Sequence, residues 1–203
     1  MQELSNTERT CYHDDHMDTA AIPQKLRVGW FTFTCCEDST IVFTELLNDH
    51  WQDWKKVLDF RHARVLQSKN VLDHMHVAFV EGAISSERHI ERLREIRANA
   101  DRLVAIGACA VSGMPSAQRN EFDESRQAEI QHILDRFAYL PRVQKLSDIV
   151  PVDASVPGCP MIPETFLAVL RQALTDFHIP LPAGSTKPVL SEVETLTPSD
   201  AHR

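Results

Sequence analysis

The chain has no surplus of positive charge: 21 lysines and arginines face 29 aspartates and glutamates, a formal net charge of −8. A broad nucleic-acid surface needs clustered Lys and Arg to neutralise phosphates, so that class of function is excluded. Long apolar runs are missing too, and no stretch approaches the roughly 20 residues that cross a bilayer. Polar Gln2, Glu3, Ser5 and Asn6 stand where an export signal would place a basic and then an apolar segment. There is also no twin-arginine pair. These absences make a cytoplasmic setting the expectation.

The remaining composition is ordinary. With 43% apolar and 25% charged residues over 203 positions, the chain suits one soluble domain with a conventional core, neither disordered nor membranous.

Five cysteines in such a chain are expected as thiols, because a cytosolic compartment keeps them reduced. Cys35 and Cys36 are adjacent, which leaves three readings: a vicinal disulfide, two buried core thiols, or two ligands of one polynuclear centre. Cys109 and Cys159 follow far down the chain. No close C-x-x-C pair of the structural-zinc kind is present. Iron-sulfur centres, by contrast, accept scattered thiolates when a rigid sheet gathers the loops. The competing reading makes Cys109 and Cys159 small buried hydrophobes. Cys11 stands off the pattern and is taken as unligated.

Hydrophobic periodicity places these cysteines. Residues 1–24 are polar and read as an arm, Lys25–Phe33 as a first strand, and Val42, Phe43, Leu46, Leu47, Trp51 and Trp54 as the inner stripe of a helix capped within Glu37–Thr40. A strand within Val57–Leu66 is less well marked, because Arg61, His62 and Arg64 interrupt it. His76–Val80 and Arg102–Ile106 are compact apolar strands. Between them lies a helix capped by Ser85 or Ser86, with Ile90, Leu93, Ile96 and Ala100 inward. Asn120 is expected to cap a helix with Ile130, Ile133, Leu134 and Phe137 on one face. A last strand is expected at Ile149–Val152, and a closing helix from Pro163 with Phe166, Val169, Leu170, Ala173 and Phe177.

Strands alternating with helices imply an α/β, flavodoxin-like three-layer domain over 25–179 with a parallel sheet, followed by a tail over 180–203. Ligand sites in such sheets form beyond the carboxyl ends of the strands. Cys35, Cys36, Cys109 and Cys159 all fall there, beside Gly107 and Gly158, which leave room for a close approach.

The segments Thr34-Cys-Cys-Glu37, Phe79-Val-Glu-Gly82, Val104-Ala-Ile-Gly-Ala-Cys-Ala110 and Val156-Pro-Gly-Cys-Pro160 resemble the small subunit of nickel-iron hydrogenases and the related 20 kDa cluster subunit of respiratory complex I. The likeness spans roughly residues 26–177. It implies one proximal 4Fe-4S cluster on Cys35, Cys36, Cys109 and Cys159, packed against a large subunit that carries the nickel-iron centre. Tandem cysteines are typical of the complex I subunit, whereas many hydrogenase subunits use C-x-x-C. No cysteine follows Cys159, so ligands for further clusters are lacking. The form is similar to small subunits of cytoplasmic hydrogenases that pass electrons to a diaphorase or ferredoxin-like module bearing NAD(P) and FMN. The alternatives are a subunit of a complex I-like quinone oxidoreductase and a non-redox interaction protein with structural thiols.

Other residues carry weaker signals. Glu37 and Glu81 stand near the cysteine loops, but a helix-capping charge and a loop carboxylate explain them equally well. Arg61, His62 and Arg64 are candidate interface residues or solvated charges. Cys11, His13 and His16 have a metal-like spacing without a scaffold. His74 and His76 read as strand-edge polar groups, and Trp51 and Trp54 as a core stripe before a docking patch.

Overall fold

The computed structural model describes residues 25–180. The expected arm, the residues after 180, and Cys11, His13 and His16 lie outside the described residues. Strands β1 (Leu26–Thr32), β2 (Leu58–Ala63), β3 (Met75–Glu81), β5 (Ala100–Ile106) and β7 (Ala154–Val156) build one sheet in the order β2-β1-β3-β5-β7. Every pairing in it is parallel. Among the sheet strands alone the order is second, first, third, fourth, fifth, the flavodoxin-like order with its switch point between β1 and β3. All seven residues of β3 are buried, which is why that strand reads as a continuous apolar run.

Helices α1 (Asp38–Val57) and α5 (Pro163–Asp176) cover one face. Their core gathers Trp30, Phe43, Trp54, Phe79 and Phe166, with the Trp30 and Phe43 rings stacked at 4.3 Å. Helix α2 (Glu87–Ala98) covers the other face through Ile90, Leu93 and Ile96 against Met75, Val80 and Leu103. The Ser86 hydroxyl accepts from the His89 N–H and caps α2, as expected. Among the described residues no helix is long and apolar enough to cross a membrane.

The structure departs from the sequence reading in four places. Ile149–Val152 is not a strand. Leu146–Asp148 forms a 3-10 turn, and pairing begins only after Asp153, whose N–H donates to the Leu103 carbonyl (2.9 Å) and whose carboxylate accepts from the Leu103 N–H (2.7 Å). Asn120 does not cap α4 (Glu124–Arg136), because Asp123 does so through the Arg126 N–H. Only Leu134 of that helix is buried, and Ile133 and Phe137 are exposed. A two-stranded antiparallel ribbon of β4 (Ile84–Ser86) and β6 (Tyr139–Gln144) was not anticipated. The Asn120 amide finishes the free side of β6: it donates to the Val143 carbonyl and accepts from the Val143 N–H, both at 2.8 Å. Finally, Trp51 is exposed while Trp54 enters the core.

Three buried or half-buried histidines give the fold a pH dependence. His62, His76 and His89 are all held below the ordinary imidazole range by burial first, with nearby arginines adding to the fall and, for His62, the bond to the Trp30 carbonyl opposing it. His76 Nδ1 also accepts from the Arg27 N–H at 3.0 Å, which requires that nitrogen to stay unprotonated. Below about pH 6.5 the unfolded chain binds protons on these rings that the folded chain refuses. Their stabilisation is therefore complete above that pH and is lost as the pH falls through the lowered values. Thermal melts between about pH 7.5 and 5 are expected to show a decreasing Tm, with a shallower fall in His62→Phe, which keeps the stack on Phe31. A Tm that rose on acidification would contradict this.

Candidate functional site

Three strand ends deliver the cysteines. At the end of β1 the chain pairs briefly with Ala83, Thr34 and Ala83 exchanging N–H to carbonyl bonds of 3.0 and 2.9 Å, before Cys35 and Cys36. Glu37 follows at a φ of 64° and turns the chain into α1. Its side chain makes no cap bond. That role falls instead to Glu81, at the end of β3. The Glu81 carboxylate is only 3% exposed and accepts from the Ser39 N–H (3.1 Å) and the Thr40 hydroxyl (2.6 Å). Thr40 in turn accepts from the Trp30 indole N–H at 2.8 Å.

Cys109 is the third residue of the short helix α3 (Gly107–Ser112), which starts directly at the end of β5. Gly107, at a φ of 78°, permits that turn, and a Cβ there would lie 2.9 Å from the Ser39 oxygen. Cys159 follows β7 between Gly158 and Pro160. A Cβ on Gly158 would come within 2.4 Å of the Pro160 carbonyl, so only glycine fits.

The three loops are fastened to one another. The Ala108 N–H donates to the Gly158 carbonyl at 2.7 Å, and the Met161 N–H donates to the Ser39 hydroxyl at 3.2 Å. Ser39 is thus a hub between the Cys36 turn, the Cys159 loop and Glu81. Cys35, Cys36, Cys109 and Cys159 line a single cavity with Ser39, Glu81, Gly107, Ala108 and Gly158. Cys109 is buried, Cys35 half-buried, and Cys36 and Cys159 exposed. Two sulfurs therefore sit inside the cavity and two on its rim.

The Cys35 thiol is pushed up to about 12, by burial first and then by the Glu81 carboxylate, with Cys109 and Cys36 adding to the rise and the Glu37 N–H opposing it. For Cys36 the largest influence, an N–H bond from Asp38, favours the thiolate. Burial and the Asp38 carboxylate outweigh it, so this thiol is also raised. Binding a cation at these sulfurs therefore requires proton displacement, as it does for thiolate ligands generally. Among the described residues, no three His, Cys, Asp or Glu side chains converge closely enough to hold a single metal ion.

The weaker candidates lie elsewhere. Arg61 pairs with Asp59 and Asp73, and His62 is buried with its Nδ1 on the Trp30 carbonyl (3.0 Å). His74 and His76 sit at the opposite, amino end of β3; His74 contacts Arg27 and Asp101. A groove of about 1030 Å3 runs between α2 and the ends of β1 and β2, lined by Phe31, His62, Arg64, Arg88 and Arg92 and by no thiol. Sequence reasoning missed Ser39 as a hub and Ser116, whose hydroxyl reaches the Cys109 sulfur at 3.2 Å. Gly107 and Gly158, beside two of the three cysteine loops, were the only local signal of such crowding.

Fold and site together define a doubly wound α/β domain with four thiols gathered at the carboxyl ends of its strands. The chain belongs to the family described as the 20 Kd subunit of NADH ubiquinone oxidoreductase, which matches residues 35–173. It is homologous to hydrogenase delta subunits and is an oxidoreductase subunit by descent. One relative, the delta subunit of the NAD-reducing hydrogenase HoxS of Cupriavidus necator, is 27% identical over 79% of this chain and 84% of its own length. Another, the delta subunit of sulfhydrogenase 2 of Pyrococcus furiosus, is 28% identical over 71% of this chain, which spans 60% of that relative. The fold is shared with a chain of an NAD+-reducing nickel-iron hydrogenase crystallised in the H2-reduced state. There the TM-score is 0.66 at 23% identity, covering 79% of this chain and 97% of the other.

Proposed function

We propose that Cys35, Cys36, Cys109 and Cys159 hold one 4Fe-4S cluster, and that the chain is the electron-transfer small subunit of a cytoplasmic nickel-iron hydrogenase. The carrying observation is that four thiols from three separate strand ends line one cavity. A cluster asks each thiolate to bind a different iron atom, so its sulfurs stand further apart than the ligands of one ion. This agrees with thiols that share a cavity without forming a single-ion site. When bound, such a cluster takes up and releases one electron at a time. The chain's own part is to hold the sulfurs on a rigid sheet, with Cys109 sealed inside and Cys36 and Cys159 toward the surface where a large subunit would dock.

The nickel-iron centre belongs to that large subunit, and the acceptor is a diaphorase or ferredoxin-like module carrying NAD(P) and FMN. The NAD-reducing relative supports this acceptor over a quinone. Tandem Cys35 and Cys36, with the family's own description, keep a complex I-like quinone oxidoreductase as the second reading.

Anaerobic purification of the chain with its bound partners, followed by electron paramagnetic resonance of the reduced complex, tests the assignment. The expected result is a brown complex with one reduced-cluster signal and H2-dependent dye reduction. Quinone dependence without H2 oxidation would favour the second reading. A fully iron-loaded sample with no cluster signal would overturn both.

A further inference from the structure

We propose that Ser116 is a positioning residue that sets the reduction potential of the cluster through the Cys109 sulfur, an inference that rests on the ligand assignment above. Its hydroxyl lies 3.2 Å from Cys109 Sγ and 3.0 Å from the Thr34 carbonyl, immediately before Cys35. One hydroxyl therefore bridges two of the three cysteine loops. Among the described residues, it is the one side chain that hydrogen-bonds to the Cys109 sulfur.

The surroundings give that contact leverage. Cys109 is 6% exposed and packs with Ala83, Ala117 and Val143, with Cys35 against the same cluster. The sulfur is almost wholly out of water and Ser116 is half-buried beside it, so the O–H dipole is screened less there than it would be in solvent. The loop bearing Ser116 is held at both ends. The Gly113 N–H donates to the Cys109 carbonyl (3.0 Å), the Ala117 N–H to the Gly113 carbonyl (2.8 Å), and Asn120 clamps Val143 from the other side.

Ser116 has one proton and two acceptors, and the structure shows which can release it. The Thr34 carbonyl already accepts from the Ala83 N–H at 2.9 Å, so it is not orphaned when the hydroxyl turns away. A ligated thiolate is the stronger acceptor, because a charge-assisted bond is roughly twice as strong as a neutral one. With a cluster bound, its one-electron reduction would place more negative charge on the Cys109 sulfur. The Ser116 proton stays on its oxygen, and no covalent bond forms or breaks. The bond strengthens, so the reduced state is favoured and the potential is raised.

Redox titration of the reduced-cluster signal in the anaerobic complex tests this. Ser116→Ala is expected to shift the one-electron equilibrium about tenfold toward the oxidised form, about 59 mV more negative, with iron content unchanged. Ser116→Thr, which keeps the hydroxyl, is expected to stay near wild type. In the wild-type complex, electron-nuclear double resonance after transfer to D2O should reveal an exchangeable deuteron coupled to the reduced cluster. An unshifted potential in the alanine variant, an equal shift in both variants, or the lack of any such deuteron would overturn the proposal. The deuteron measurement decides even if the alanine variant does not load. A wild-type complex that holds no cluster at all would instead refute the ligand assignment.

Discussion

Cys109→Ala is expected to remove the cluster iron held by this chain, a loss of about four atoms per chain from the iron of the purified complex, and Cys159→Ala to do the same, while Cys11→Ala leaves the iron unchanged. No neighbour can take over. Cys109 is buried among apolar side chains, and of the two carboxylates lining the cavity Glu81 has both oxygens engaged by Ser39 and Thr40 while Asp38 is exposed at the Cys36 turn. Cys159 sits between Gly158 and Pro160, on a backbone that admits no rearrangement toward another donor without losing the 2.7 Å bond from Ala108 to Gly158. Iron analysis beside the electron paramagnetic resonance spectrum measures the outcome. Equal iron loss in all three variants would show that the ligand set is wrong.

The second large effect is expected at Glu81. In Glu81→Ala the Ser39 N–H and the Thr40 hydroxyl lose their acceptor in a site that is 3% exposed. An unmet buried partner costs about 1–3 kcal/mol, so the pair amounts to roughly 2–6 kcal/mol and a Tm lower by about 4–24 °C. Glu81→Gln keeps one acceptor and is expected to lose less. It also removes a negative charge that raises the Cys35 thiol, so Cys35 in the metal-free glutamine variant should be alkylated faster than in wild type at alkaline pH. Calorimetry and timed iodoacetamide labelling check the two halves. An unchanged Tm in the alanine variant would remove Glu81 from its place as the cap of α1.

Much of this site was legible beforehand. Short apolar runs at His76–Val80 and Arg102–Ile106 mark strands buried on both sides, and Cys109, after Gly107 at the end of the second, follows from the chain order alone. Even the interrupted segment around Arg61 is a strand, because it is an edge strand, and only His62, Ala63 and Leu58 need be buried. The misses share a cause. Asn120 looked like a cap because Asn often is one, but its amide was taken by Val143, 23 positions away. Asp153 displaced the last strand by binding Leu103, 50 positions away. Glu81 outcompeted Glu37 for the start of α1, a contact across 42 positions.

The amino-acid sequence by itself determined the alternation of strands and helices, the placement of Cys35, Cys36 and Cys109 at strand ends, and the glycines beside Cys109 and Cys159 that let their loops close. It did so because periodicity and local backbone preference are properties of neighbouring residues. Tertiary structure alone decided which polar groups meet: Ser39 with Met161, Glu81 with Thr40, Ser116 with Cys109. Those pairings depend on how distant segments pack within ångströms of one another, and a hydrogen bond's energy falls away over that same distance.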